Sequence, residues 1–185
     1  VMKEKYILFM DAGLAHLPSH QGKPNAINKE DYLQTMNTFF TRMEKQYSLP
    51  IVVAAHPKSG YKENDFNGRP IILYKTPELM KYAEFVLAHY STSLIELVLQ
   101  KKKVVFLYSE EYMESDSRTV LETAMEYADM LQAVVADIKK DEDVEIRFNE
   151  KAYDQFIEKY IVYEKRKNDS NGQLIIEFLK KLSEQ

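Results

Sequence analysis

Three runs in this chain are apolar at every position: Ile51-Val52-Val53-Ala54-Ala55, Phe85-Val86-Leu87-Ala88 and Val104-Val105-Phe106-Leu107. A strand with one wet face alternates apolar and polar residues. A strand without that alternation must be covered on both faces, which is the situation in a parallel sheet flanked by its own crossover helices. Tyr6-Ile7-Leu8-Phe9-Met10 reads the same way, within a first strand at 5–10. Between these runs the period changes. A helix is predicted from an Asn28 cap to about Tyr47, with Tyr32, Met36, Phe39, Phe40 and Met43 on one stripe. Strand and helix in alternation, joined by right-handed crossovers, predict an α/β fold: a Rossmann-like doubly wound parallel sheet with helices on both faces.

The remaining elements follow from weaker signals. A short strand is expected at Ile71-Ile72-Leu73-Tyr74, and a helix start at Thr76-Pro77-Glu78, with Thr76 as a hydroxyl cap. After Tyr108 the chain turns acidic and polar, with a helix expected from Ser117 to Tyr127 and a weak strand at Ala133 to Ala136. Two amphipathic helices close the chain, one striped by Tyr153, Phe156, Ile157, Tyr160 and Ile161, the other by Leu174, Ile175, Phe178, Leu179 and Leu182. Ser170 and Gln173 have capping-box spacing at the start of the second. The 185 residues are expected to form a single domain, with a Rossmann-like core over about 4–137 and C-terminal helices over about 149–183. A buried strand beginning so near Val1 makes the chain read as a fragment of a longer, two-domain protein.

Composition removes whole classes of function. The net charge of −4 provides no general attraction to nucleic acid or anionic lipid. There is no cysteine, which excludes disulfides, thiolate metal sites and cysteine nucleophiles. No apolar run approaches the roughly 18 residues that cross a bilayer, and no signal peptide is visible. The expected location is the cytoplasm, with a peripheral position at the inner face of the membrane open to the full-length protein.

Ligands of doubly wound sheets sit beyond the carboxyl ends of the strands. Four such ends carry polar residues: Asp11-Ala12-Gly13, His56-Pro57-Lys58, His89-Tyr90-Ser91-Thr92-Ser93 and Tyr108-Ser109-Glu110. None follows the G-x-G-x-x-G, Walker or G-x-S-x-G pattern, so dinucleotide binding, P-loop phosphoryl transfer and α/β-hydrolase chemistry lose their support. The most informative end is the run of hydroxyls Ser91, Thr92 and Ser93. There, free N–H groups at a helix start and hydroxyl donors would receive a phosphate without a lysine, although one hydroxyl would also serve as an ordinary cap. His56 is placed to bind a phosphate or ribose oxygen or to cap strand-end carbonyls, with Lys58 beside it. Glu96, three residues after Ser93, would complete a capping box or face the ligand. Arg69 is a further candidate for phosphate, or a solvated loop residue. His16 and His20 are separated by Pro18 and read as loop residues rather than metal ligands, and Asp141-Glu142-Asp143 reads as a solvated turn.

The order of these elements resembles a known family. A strand ending in Ala54-Ala55-His56-Pro57-Lys58-Ser59, then Gly68-Arg69, then Thr76-Pro77-Glu78-Leu79, then Leu87-Ala88-His89-Tyr90-Ser91-Thr92-Ser93 is similar to the C-terminal domain of GT-B glycosyltransferases. It is closest in style to the capsule and lipooligosaccharide sialyltransferases and related polysaccharide transferases of bacteria, and the resemblance covers about residues 5–110. It implies a donor nucleotide-sugar (CMP-, UDP- or CDP-linked) held by His56, Lys58, His89, Ser91, Thr92, Ser93 and Glu96, with Asp11, Gly13 and Arg69 as further pocket residues. It implies no metal and no cofactor. The glycan acceptor and the catalytic base would belong to an N-terminal domain, so this chain alone would bind donor and transfer little. Two alternatives share the same pocket: a nucleotide-sugar epimerase, and a Rossmann-like binding or interaction domain without catalysis.

Overall fold

In the computed structural model, which describes residues 4–15, 25–161 and 170–183, the chain runs β1 (Ile7–Met10), α1 (Lys29–Tyr47), β2 (Ile51–Ala54), β3 (Ile71–Ile72), α2 (Thr76–Tyr82), β4 (Phe85–Ala88), α3 (Leu94–Leu99), β5 (Val104–Tyr108), α4 (Glu110–Met113), α5 (Arg118–Leu131), β6 (Val134–Asp137), α6 (Glu150–Phe156) and α7 (Asn171–Ser183). The strands form one parallel sheet in the order β3-β2-β1-β4-β5-β6. This is the doubly wound Rossmann-like order that the apolar strands predict.

Strand alternation divides the core in two. Ile7, Phe9, Ile51, Val53, Phe85, Leu87, Val105 and Leu107 point to one face, where the α1 stripe of Tyr32, Met36, Phe39, Phe40 and Met43 covers them. Leu8, Met10, Val52, Ala54, Val86, Ala88, Val104 and Phe106 point to the other, under α2, α3, α5 and α6. Every residue of β1, β2 and β4 is buried, which is why none of them alternates. After β6 the chain runs along the α1 side of the core through Val144, whose N–H and C=O are both held at 3.1 Å by the Gln46 carboxamide.

Several local expectations shift. β3 is two residues rather than four, because Tyr74 takes a left-handed φ of 60° that turns the chain out of the sheet. Thr76 is the first helical residue of α2, not its cap; Lys75 occupies the cap position and makes no side-chain bond there. The expected helix from Ser117 to Tyr127 extends to Leu131, and the acidic stretch after Tyr108 contains the short α4. The first C-terminal helix changes to a π-helical turn over Ile157–Ile161. The capping box of the last helix forms, with Ser170 N–H donating to Gln173 Oε1 at 2.7 Å and Gln173 N–H to Ser170 Oγ at 3.2 Å. His16 and His20 lie outside the described residues.

Asn28 caps α1 as its sequence indicates, its Oδ1 accepting from Glu30 N–H at 2.8 Å and Asp31 N–H at 3.1 Å. Asn28→Ala is expected to destabilise the protein by about 1 kcal/mol, read as a lower urea midpoint with an unchanged slope.

Candidate functional site

The strand order reverses at β1, with β2 and β3 on one side and β4 to β6 on the other. The chain leaves β1 for α1 on one face of the sheet and β4 for α3 on the other, the arrangement at which doubly wound folds have their ligand crevice. The polar strand ends singled out by sequence at Asp11, His56 and Ser91 leave the central strands β1, β2 and β4 at this edge.

Asp11 organises the β1 and β2 ends. Its side chain is buried, and Oδ1 accepts from Gly13 N–H at 2.8 Å and from the Tyr61 hydroxyl at 3.0 Å. Oδ2 accepts from His56 N–H at 3.0 Å. Gly13 has a φ of 69°, the conformation that lets its N–H turn back to this carboxylate. Burial raises the Asp11 pKa, and the His56 and Gly13 amides and the Tyr61 hydroxyl partly oppose that shift. Burial next to this carboxylate also pushes the Tyr61 phenol far up, so Tyr61 is a permanent donor. Asp11 and Gly13 thus brace the edge from within rather than line a pocket surface.

His56 is half-buried and shapes the following turn. Its Nδ1 accepts from Lys58 N–H at 3.2 Å, and its carbonyl accepts from the Ser59 N–H at 3.0 Å and hydroxyl at 2.7 Å. A neutral ring that accepts at Nδ1 carries its proton at Nε2, and Nε2 has no partner among the described residues. Lys58 is exposed and makes no ion pair among the described residues.

After β4 the chain enters the hydroxyl run. Ser91 Oγ accepts from Ser93 N–H at 3.3 Å, and Ser91 C=O from Leu94 N–H at 3.0 Å. Ser93 sits at the cap position of α3 without a side-chain cap bond. Thr92 is exposed, and neither its hydroxyl nor that of Ser93 is hydrogen-bonded among the described residues. The capping box between Ser93 and Glu96 is therefore not made. Glu96 remains half-buried on the first turn of α3 and makes no ion pair among the described residues. What this loop offers a ligand is a set of hydroxyl donors beside a half-buried carboxylate.

Two residues expected in the pocket stand elsewhere. His89 is fully buried. Its Nδ1–H donates to the Leu107 carbonyl at 2.9 Å, and its Nε2 accepts from the Tyr32 hydroxyl at 3.3 Å. Both nitrogens are thus committed to the core, and the ring pins α1, the end of β4 and β5 together instead of facing a ligand. Arg69 belongs to the opposite end of α1. It forms a two-pronged pair with Glu44 at 3.0 and 2.7 Å and also donates to Asn37 Oδ1 and Thr41 Oγ1, both at 3.0 Å. Glu44 meanwhile accepts from Ile51 N–H at the start of β2. That consumes the guanidinium at the amino end of the sheet, away from the crevice.

Sequence reasoning missed Tyr32, which reads as a core residue of the α1 stripe, and Tyr61, which falls in the polar loop between β2 and β3; each reveals its hydroxyl partner only in three dimensions. It also missed the ring ladder behind the hydroxyl loop. Tyr90 contacts Tyr127 of α5 with centroids 5.6 Å apart, and Tyr127 contacts Phe156 of α6 at 5.5 Å. Among the described residues no group of His, Asp and Glu is arranged to hold a metal ion, and no helix is long and apolar enough to cross a membrane.

His89 supplies a pH test of this arrangement. Burial lowers its pKa from 6.5 to about 4, so the unfolded chain binds the proton more tightly than the native one. The neutral ring's contribution is complete above pH 6.5 and is lost progressively as pH falls toward 4, a change of about 3 kcal/mol. In paired urea titrations, the stability gap between the protein and His89→Gln is expected to shrink by about that amount between pH 7 and pH 4. Arg69→Ala is expected to destabilise by roughly 2–4 kcal/mol, since it leaves a partly buried Glu44 unpaired, while leaving the affinity for any ligand at the crevice unchanged.

No protein-family model matches the sequence, and no curated protein matches it. Among solved structures, UDP-GlcNAc 2-epimerase from Methanocaldococcus jannaschii, in complex with UDP-GlcNAc and UDP, is similar with a TM-score of 0.41 and 19% identity over 83% of this chain and 44% of its own. S. aureus MnaA with UDP has a TM-score of 0.37 and 21% identity over 68% of this chain and 38% of its own. A putative isochorismatase hydrolase from Oleispira antarctica has a TM-score of 0.40 and 10% identity over 75% of this chain and 96% of its own. This chain thus spans less than half the length of the epimerase and MnaA chains. The fold class rests on the strand order and the parallel pairing, not on likenesses at this level.

Proposed function

We infer that this chain binds the nucleotide-sugar donor of a glycosyltransferase that acts in bacterial surface polysaccharide synthesis. The observation that carries this reading is the placement of the His56-Pro57-Lys58 turn and the Ser91-Thr92-Ser93 loop on strands that flank the order reversal. Both are among the segments whose sequence resembles the GT-B donor-binding domain. In this reading the Ser91, Thr92 and Ser93 hydroxyls receive the donor's phosphate, His56 Nε2–H and Lys58 receive a phosphate or ribose oxygen, and Glu96 meets the ribose. His89 and Asp11 hold the loops in place.

The chemistry is displacement at the anomeric carbon. The acceptor hydroxyl forms the new bond to that carbon, the bond to the nucleotide phosphate breaks, and its electron pair leaves on the phosphate oxygen. The hydroxyl proton passes to a base on a separate N-terminal domain. This domain's share of catalysis is to stabilise the departing phosphate with fixed donors, a role that calls for neither metal nor cofactor. The full-length protein would work in the cytoplasm, near the inner face of the membrane.

The test is a calorimetric titration of the chain with CMP, UDP, CDP and GDP at one salt concentration. One nucleotide is expected to bind selectively, and Ser91→Ala/Ser93→Ala to weaken it at least about ten-fold, the effect of losing hydrogen bonds to a charged group. Binding unchanged in the double variant would remove the site assignment. Absence of binding by all of them would favour a non-catalytic interaction domain.

A further inference from the structure

The carboxyl edge of the sheet carries one aromatic side chain that neither the core nor the phosphate reading accounts for. Tyr74 follows β3, and its side chain is 76% exposed, beside Leu73 at 44%. The hydrogen bond from Ala55 N–H to the Ile72 carbonyl at 3.0 Å places the end of β3 directly beside the strand that ends in His56. Tyr74 also holds a φ of 60°. Glycine or asparagine adopts this conformation readily, whereas a bulky side chain adopts it at an energetic cost. A turn that only had to leave the sheet would be served better by glycine. Here a large planar ring is kept at that position and presented to solvent.

The surroundings limit what the ring can serve. On this face α2 and α3 share one apolar cluster through Leu79, Met80, Leu94 and Leu97, so the β3–α2 turn and the β4–α3 loop overhang the same side of the edge. Ile95, in the first turn of α3, is 47% exposed. The edge thus carries hydroxyls and Lys58 on the loops next to β1, and exposed apolar side chains in Leu73 and Tyr74 after β3 and Ile95 on α3. A ligand with an anionic centre and a flat, weakly polar end matches this edge, and a nucleotide has both.

We propose that Tyr74 is the stacking platform for the base of the bound nucleotide, and that it contributes affinity without hydrogen-bond readout of the base. This rests on the nucleotide reading of the same edge. Base–aromatic stacking tolerates any base because every base has a π-face, so selectivity among nucleotides comes from other groups, while Tyr74 strengthens all of them.

The experiment titrates the 185-residue chain and its variants Tyr74→Gly and Tyr74→Phe with CMP, UDP, CDP and GDP, and with inorganic pyrophosphate as a probe that has no base. Tyr74→Gly relieves the left-handed backbone and is expected to melt close to the wild-type temperature. It is expected to bind the nucleotides about ten-fold more weakly, the scale of one lost stacking contact, with pyrophosphate binding unaltered. Tyr74→Phe keeps the ring and is expected to bind like the wild type. Full nucleotide affinity in Tyr74→Gly overturns the stacking role while leaving the site intact. An equal loss for nucleotide and pyrophosphate also overturns it, because the residue would then act through the shape of the loop. Absence of nucleotide binding by the wild-type chain overturns the site reading and this proposal together.

Discussion

A parallel sheet leaves no face for water, and most of this molecule follows from that. Crossovers between parallel neighbours must run over the faces, so each face acquires helices, and the strands beneath must be apolar on both sides. Here Ile7 and Phe9 meet α1 while Leu8 and Met10, from the same strand, meet the opposite helices. Right-handed crossovers to both sides then require the chain to start in the middle of the sheet and reverse once. The reversal at β1 is where strand-end loops part. The crevice is thus a by-product of burying both faces, and any strand-end residue near β1 and β4 inherits a position beside it.

The same logic explains which parts of the fold were legible. β1, β2, β4 and β5 announce themselves because burial on both faces writes an unbroken apolar run. α1 announces itself through a stripe and a polar cap. β3 and β6 are edge strands, and their signals are weaker because burial at an edge is incomplete. The length of β3 was set by the backbone of Tyr74, which no apolar pattern encodes. The π-helical turn after α6 was also invisible, since a stripe spanning Tyr153 to Ile161 suits a continuous helix equally well.

The site was legible by position and much less by role. Strand-end polar residues were correctly located at the carboxyl edge because their neighbours in sequence are strand residues. Whether a side chain faces outward or inward depends on partners far away in the chain. His89 turns inward because Tyr32 and Leu107 complete its hydrogen bonds across 57 and 18 positions. Asp11 turns inward because His56 and Tyr61, 45 and 50 positions on, supply donors. Arg69 was drawn away by Glu44, which the α1 stripe places on a flank of the helix rather than in its buried seam. Motif spacing carries none of this, because hydrogen bonds between distant elements have no period.

The two inward-facing residues differ in electrostatic consequence. His89 is neutral, and its burial is compatible with an anion arriving nearby. Asp11 is held by neutral donors, the Gly13 and His56 amides and the Tyr61 hydroxyl, and burial disfavours its charge. An anion drawn to this edge would meet the field of a carboxylate screened by little water, which favours a seat toward the β4–α3 side and away from the β1–β2 loops. Lys58, exposed on the β2 loop, offsets that field on its own side. In the proposed reading, the negative part of a ligand sits between Lys58 and the hydroxyl loop, with Asp11 behind it. An anion bound there would in turn raise the proton affinity of Asp11, so that ligand binding and protonation of the brace would strengthen each other. The brace that fixes the His56 turn would therefore also respond to an anion held there.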